Sequence, residues 1–98
     1  LLRARLPESA EARLSLAVTA RLRLDLGETR AALAGFEDYL AGPDRSLHEE
    51  AMVGRIRALA SLGREREATA AVEALLRAHP RSAFRPEAEA LLAEVERD

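Results

Sequence analysis

The run His48-Glu49-Glu50-Ala51-Met52 opens as a zinc-protease helix opens, with an imidazole ligand followed by a carboxylate able to act as general base. Such a site needs a second histidine one helical turn on, and that position holds Met52, so the motif ends there. The other histidine, His79, precedes Pro80 at what reads as a helix end, where carbonyl dipoles favour a charged imidazole. Ser9, Ser15, Ser46, Ser61 and Ser82 lack the Ser–His–acid context that activates a hydroxyl. Ser9 and Ser46 read instead as helix caps. No GxGxxG or GxxxxGK[ST] string offers a phosphate cradle. With no cysteine, thiolate chemistry, disulfides and Cys-based zinc sites are excluded. The chain reads as a non-enzyme, with no catalytic, cofactor-binding or metal-binding residues.

The side chains left with binding chemistry are arginines. All 15 basic residues are Arg, and Lys, Asn and Gln are absent, a usage that G+C-rich coding explains without selection for guanidinium chemistry. The arginines are interleaved with 17 acids for a net charge of −2, which leaves no basic face for nucleic acid. Hydrophobic residues make up 48% and are mostly Ala and Leu, while only Phe36, Tyr39 and Phe84 are aromatic, which is the composition of helices. No apolar run reaches the ~18–20 residues of a membrane span, so direct membrane insertion is not expected. At 98 residues the chain is one domain, burying roughly 60–65% of its unfolded surface. It opens on Leu1 without an initiator Met and reads as a piece of something longer.

Two segments, Leu26-Gly27-Glu28-Thr29-Arg30-Ala31-Ala32-Leu33-Ala34 and Leu62-Gly63-Arg64-Glu65-Arg66-Glu67-Ala68-Thr69-Ala70, echo each other 36 residues apart. The echo extends through Arg21/Arg57, Glu37/Glu73, Leu40/Leu76, Arg45/Arg81 and Ser46/Ser82, and a period of this size marks a stacked repeat. Breakers at Pro7, Gly27, Gly42-Pro43, Gly63, Pro80 and Pro86 divide the chain into five helical blocks. The first, about Ser9 to Leu26, carries Leu16, Ala17, Ala20 and Leu24 on one face. The second, about Thr29 to Ala41, carries Ala32, Leu33, Phe36 and Leu40 as one stripe. The third begins at a capping box, Ser46-Leu47-His48-Glu49, and runs through Met52, Val53, Ile56, Leu59 and Ala60 to Gly63. The fourth, about Glu65 to Ala78, carries Ala68, Ala71, Val72, Leu75 and Leu76. The fifth, Pro86 to Arg97, buries Ala88, Leu91, Leu92 and Val95, with Pro near its first position. Leu1-Leu2-Arg3-Ala4 followed by Pro7 resembles Leu75-Leu76-Arg77-Ala78 followed by Pro80, so residues 1–8 read as the tail of a preceding helix.

This 36-residue pair of antiparallel helices with Leu-Gly in the turn resembles a tetratricopeptide repeat. In that family the turn Gly is followed by a small residue five positions on, a bulky apolar one at nine and Pro at seventeen. Here Gly27 is followed by Ala32, Phe36 and Asp44, with Pro43 one early, and Gly63 by Ala68, Val72 and Pro80. The chain departs from the pattern at Tyr39 and Leu75, where a small residue is expected, and at Leu16 and Met52, where an aromatic is. The resemblance covers about Ser9 to Asp98 and implies an all-α superhelix of about two and a half repeats: 9–43, 46–80, and a half-repeat or capping helix over 84–98. Leu75 to Ser82, leading into Pro86-Glu87-Ala88, is similar to repeats of bacterial envelope-associated members, which points weakly to the periplasm rather than the cytoplasm.

The resemblance further implies a protein-interaction scaffold whose first helices line a concave groove. On that register Ala17, Arg21, Leu24, Val53, Arg57 and Ala60 face a protein or peptide partner, with Arg21 and Arg57 in a row as charge-assisted donors to carboxylates or carbonyls. The structural alternative is an assembly element that self-associates through Pro86 to Arg97, whose pairing helix is missing. A small helical enzyme or DNA-binding bundle would need an assembled site or a basic face.

Overall fold

The computed structural model describes residues 10–97, which form five α-helices: α1 (Ala10–Asp25), α2 (Thr29–Ala41), α3 (His48–Ser61), α4 (Glu65–Ala78) and α5 (Arg85–Arg97). The described residues are all-helical, with no strand. The expected cap Ser9 and the expected helix tail at 1–8 lie outside the described residues.

The duplicated Leu-Gly words close α1 and α3 in the same way. Gly27 and Gly63 have φ of 83° and 71°, the left-handed region that a side chain enters at a cost. After α1 the Glu28 N–H donates to the Arg23 carbonyl at 2.8 Å and the Gly27 N–H to Leu24 at 3.0 Å; after α3 the Arg64 N–H donates to Leu59 and the Gly63 N–H to Ala60, both at 3.0 Å. These paired bonds satisfy carbonyls that a helix end otherwise leaves open.

Each helix packs on the next, and α1 on α3 and α3 on α5. The odd-numbered helices therefore form one contiguous layer, with α2 and α4 each covering the seam between successive members. Small residues set the spacing. Ala32 and Ala68 are fully buried, and a Cβ on Gly35 would lie 2.9 Å from Ala20 Cβ, so α1 and α2 approach nearly backbone to backbone. One core cluster gathers Ala17, Ala20, Ala32, Phe36, Tyr39 and Ala51; a second centres on Val53, Ile56, Leu59, Ala68, Val72 and Leu75 and extends to Ala88. Leu24 packs against both. Phe36 spans the seam, its ring tip lying where a Cβ on Gly54 would be.

The expected capping box at Ser46 does not form. The α3 helix starts at His48 with no side-chain cap, and the Ser46 hydroxyl turns to Asp44 Oδ1 at 3.1 Å. The Leu47 N–H donates instead to the buried Tyr39 hydroxyl at 2.8 Å, which itself donates to Asp44 Oδ2 at 2.6 Å. A hydroxyl from the preceding helix has displaced the local cap. Burial, followed by this bond to Asp44, holds the Tyr39 phenol above its ordinary pKa; accepting the bond holds Asp44 below the usual carboxylate range. In α5, Ala88 and Val95 are buried as expected, whereas Leu91 and Leu92 are half-buried against the core.

Candidate functional site

Between α1 and α3 runs a groove of about 240 Å³. Ala17, Val18, Arg21 and Leu22 of α1 form one wall, Glu50, Ala51, Gly54 and Arg57 of α3 the other, with Phe36 and Leu47 contributing from α2 and the loop after it. Its floor at Phe36 follows from Gly54: a glycine in mid-helix leaves room for the ring tip where a Cβ would stand. The α1 wall is apolar and open to solvent, with Val18 50% and Leu22 57% exposed.

Of the six residues expected to face a partner, the groove brings together Ala17, Arg21 and Arg57. Leu24 is half-buried between the two core clusters. Ala60 borders a separate depression between α3 and α5, together with Ser61, Leu91, Glu94 and Val95. Val53 is a correction: at 1% exposure it lies in the core and offers a partner no surface. The reason is that α3 is the central helix, packed by all four others, so a face expected to be open is covered.

Arg21 and Arg57 are equivalent in the repeat but not in their surroundings. Arg57 makes a bidentate pair with Glu87 of α5, Nε to Oε2 at 2.5 Å and Nη2 to Oε1 at 2.8 Å. That hydrogen-bonded pairing raises the arginine's pKa and lowers the carboxylate's. The residue standing thirty positions after Arg21, as Glu87 stands after Arg57, is Ala51, which carries no acid. The charge of Arg21 reaches Glu87 more weakly than that of Arg57 does, and Arg21 pairs with Asp25, one turn along its own helix at 3.5 Å and with both side chains well exposed. Such a pair is worth at most a few tenths of a kcal/mol. Arg21 is the cation of this groove that a partner's acid could take over.

At the opposite end of α3 the structure joins residues that were read separately. His48 Nδ1 and His79 Nε2 lie 3.0 Å apart, so one ring donates and the other accepts. Burial, then the charges of Arg45 and His79, push His48 below its ordinary pKa. Beside this pair the Ser82 hydroxyl donates to Glu49 and accepts the Phe84 N–H at 3.1 Å, ordering the loop into α5. These contacts span 31 and 33 residues, so no local motif announces them. Their one trace in the sequence is the echo pairing Ser46 with Ser82 at the entry to successive repeats.

No family model, curated protein or solved structure matches this chain. The geometry carries the functional argument alone. Among the described residues no helix is long and apolar enough to cross a membrane.

Proposed function

We propose that the chain is a non-enzymatic interaction scaffold built as a tetratricopeptide-like superhelix of about two and a half repeats, which holds a segment of a partner protein in the groove between α1 and α3. Supporting the repeat reading are the paired Gly27 and Gly63 turns and the layer of odd-numbered helices with α2 and α4 on its seams. The observation that carries the functional reading is the groove: an apolar wall exposed at Val18 and Leu22, a floor at Phe36, and Arg21 beside it with no strong internal acid. That arrangement suits a short peptide presenting one apolar anchor and one carboxylate, the anchor excluding water while the guanidinium fixes register. Val18 and Leu22 are about half exposed, so covering both gains roughly 1.5–3 kcal/mol in total, and the carboxylate bond to Arg21 with the peptide's own backbone contacts must supply the rest of a weak complex.

The test is selection of a displayed peptide library on the immobilised chain. Binders enriched in an apolar residue next to Asp or Glu are expected, with affinity falling at least tenfold for Arg21→Glu and for Leu22→Glu, and unchanged for Glu73→Arg on the exposed face of α4. Binders indifferent to Arg21 and Leu22 would place recognition elsewhere.

A further inference from the structure

The groove between α1 and α3 carries opposite charges at its two ends. Arg21 stands at one end, level with Arg57: the guanidinium of Arg57 chiefly, and that of Arg21 more weakly, holds the Glu87 carboxylate below its ordinary pKa, so both reach the same acid. Glu50 stands at the other end of the lining, seven residues before Arg57 and so about 10 Å back along the axis of α3. Its charge falls on the Tyr39 phenol, which is raised mainly by burial and by the bond to Asp44, and least by Glu50. Between and beside these two ends the lining is apolar, with Ala17, Val18, Leu22, Phe36 and Ala51.

The other charges around the groove are committed elsewhere. Arg57 is held in its bidentate pair by Glu87. Asp25 lies one turn beyond Arg21 and outside the lining. Arg13, the α1 cation toward the Glu50 end, stands against Gly42 just past the end of α2. Arg45 faces His48, and Glu49 accepts the Ser82 hydroxyl. Glu50 enters no ion pair among the described residues. The groove therefore offers one open anion, an apolar middle, and one cation held by an exposed and replaceable pair.

We propose that the partner of this groove is an extended, dipolar segment: an apolar side chain seated on Phe36, flanked by a Lys or Arg that reaches Glu50 and an Asp or Glu that reaches Arg21. At about 3.3 Å per residue, the 10 Å between the ends spans about three residues of extended chain. A helix, about 10–12 Å across with its side chains, is too wide for a groove of about 240 Å³. Selection by sign works at both ends. A uniformly acidic segment gains at Arg21 and is repelled at Glu50, and a uniformly basic one meets the reverse, so the groove discriminates against both. Pairs between exposed charges are individually weak, so the pattern sets which segment binds, and in which direction, more than how tightly. This inference rests on the groove reading and deepens it.

Selection of displayed peptides on charge variants of the intact chain tests it. The wild-type chain is expected to enrich peptides with a base and an acid about two to four residues apart around an apolar residue. Glu50→Arg is expected to replace that base by an acid, and the Arg21→Glu/Glu50→Arg double variant to keep the spacing while exchanging the order of the two charges. A peptide selected on the wild type and synthesised with a fluorescent label is expected to lose at least about fivefold in affinity, read by anisotropy, when its base and acid are exchanged, and to regain it on the double variant. Circular dichroism unchanged from wild type shows that each variant is folded. Enriched peptides that carry the apolar residue and the acid without a base, or that bind Glu50→Arg as well as wild type, would overturn the dipolar pattern and leave the groove reading in place. Peptides indifferent to Arg21 and Leu22 would overturn both.

Discussion

Gly54→Ala sets two opposed effects against each other, and the structure decides their sum. Adding a methyl in mid-helix normally stabilises by about 1 kcal/mol, because glycine gives up more backbone freedom on folding. At this position a Cβ would lie within 2.7 Å of Cζ, Cε1 and Cε2 of Phe36, closer than carbon atoms pack. The ring is 3% exposed and bounded by Ala17, Ala20, Ala32 and Ala51, so it can yield only by tilting into the groove it floors. Overpacking of that kind costs about 1–3 kcal/mol, and the room above the ring puts this case near 2. The net loss is then about 1 kcal/mol, a fall of roughly 4–8 °C in Tm for a domain of this size. The sign is expected to reverse once the ring is gone: in a Phe36→Leu background, Gly54→Ala should stabilise by up to about 1 kcal/mol, a coupling near 2 between the two sites. Urea unfolding of the four proteins followed by circular dichroism measures this directly. A Gly54→Ala chain more stable than wild type with Phe36 present would refute the packing on which both the seam and the groove floor rest.

Tyr39→Phe removes the hydroxyl that serves both Leu47 and Asp44, leaving a backbone N–H without its partner, and should destabilise by about 1–3 kcal/mol in the same assay. Gly27→Ala and Gly63→Ala should each cost about 1 kcal/mol, and nearly equally, because neither Cβ meets anything within 4 Å and only the positive φ opposes the change. Glu87 has its pKa lowered by Arg57, so its contribution is complete above the unfolded value of 4.5 and is lost as pH falls through the folded one; Glu87→Gln should flatten that acid limb of stability against pH. His48 is a base whose pKa is lowered on folding, so the unfolded chain takes up its proton first and stability declines as pH falls below 6.5; His48→Gln should remove that earlier limb and leave the one from Glu87.

Helix positions were legible because their signals are local. Ala- and Leu-rich blocks between Gly and Pro put α2 and α4 at Thr29–Ala41 and Glu65–Ala78 as expected, and the Leu-Gly words located both left-handed turns. What was not legible depended on competition between distant groups. Ser46-Leu47-His48-Glu49 has the local form of a capping box, but Asp44 takes the serine, Ser82 takes the glutamate, and Tyr39 supplies the cap. Tyr39 itself stood out only as a departure from the repeat pattern; its departure is what provides that hydroxyl. Val53 was misplaced because a repeat register gives a residue's phase around its own helix, while exposure depends on how many neighbours surround that helix. The same period shows identical phases with opposite burial at Val18 and Gly54, or at Leu22 and Ala58.

That difference between phase and environment also separates the two arginines. Arg57 answers to α5 through Glu87, so reversing its charge removes a structural tie along with any role at the groove, and its loss cannot report on recognition alone. Arg21 has an exposed i,i+4 partner worth at most a few tenths of a kcal/mol, so Arg21→Glu should leave stability within about 0.5 kcal/mol of wild type. Arg57→Glu should lower stability by well over that, since Glu87 would be left facing a like charge at a half-buried site. Measured side by side in urea, the pair tests whether the repeat has divided its labour, with one arginine tying α3 to α5 and its twin left free for a partner. Equal stability losses at the two positions would mean that Arg21 has a structural role of its own and is not the open cation of the groove.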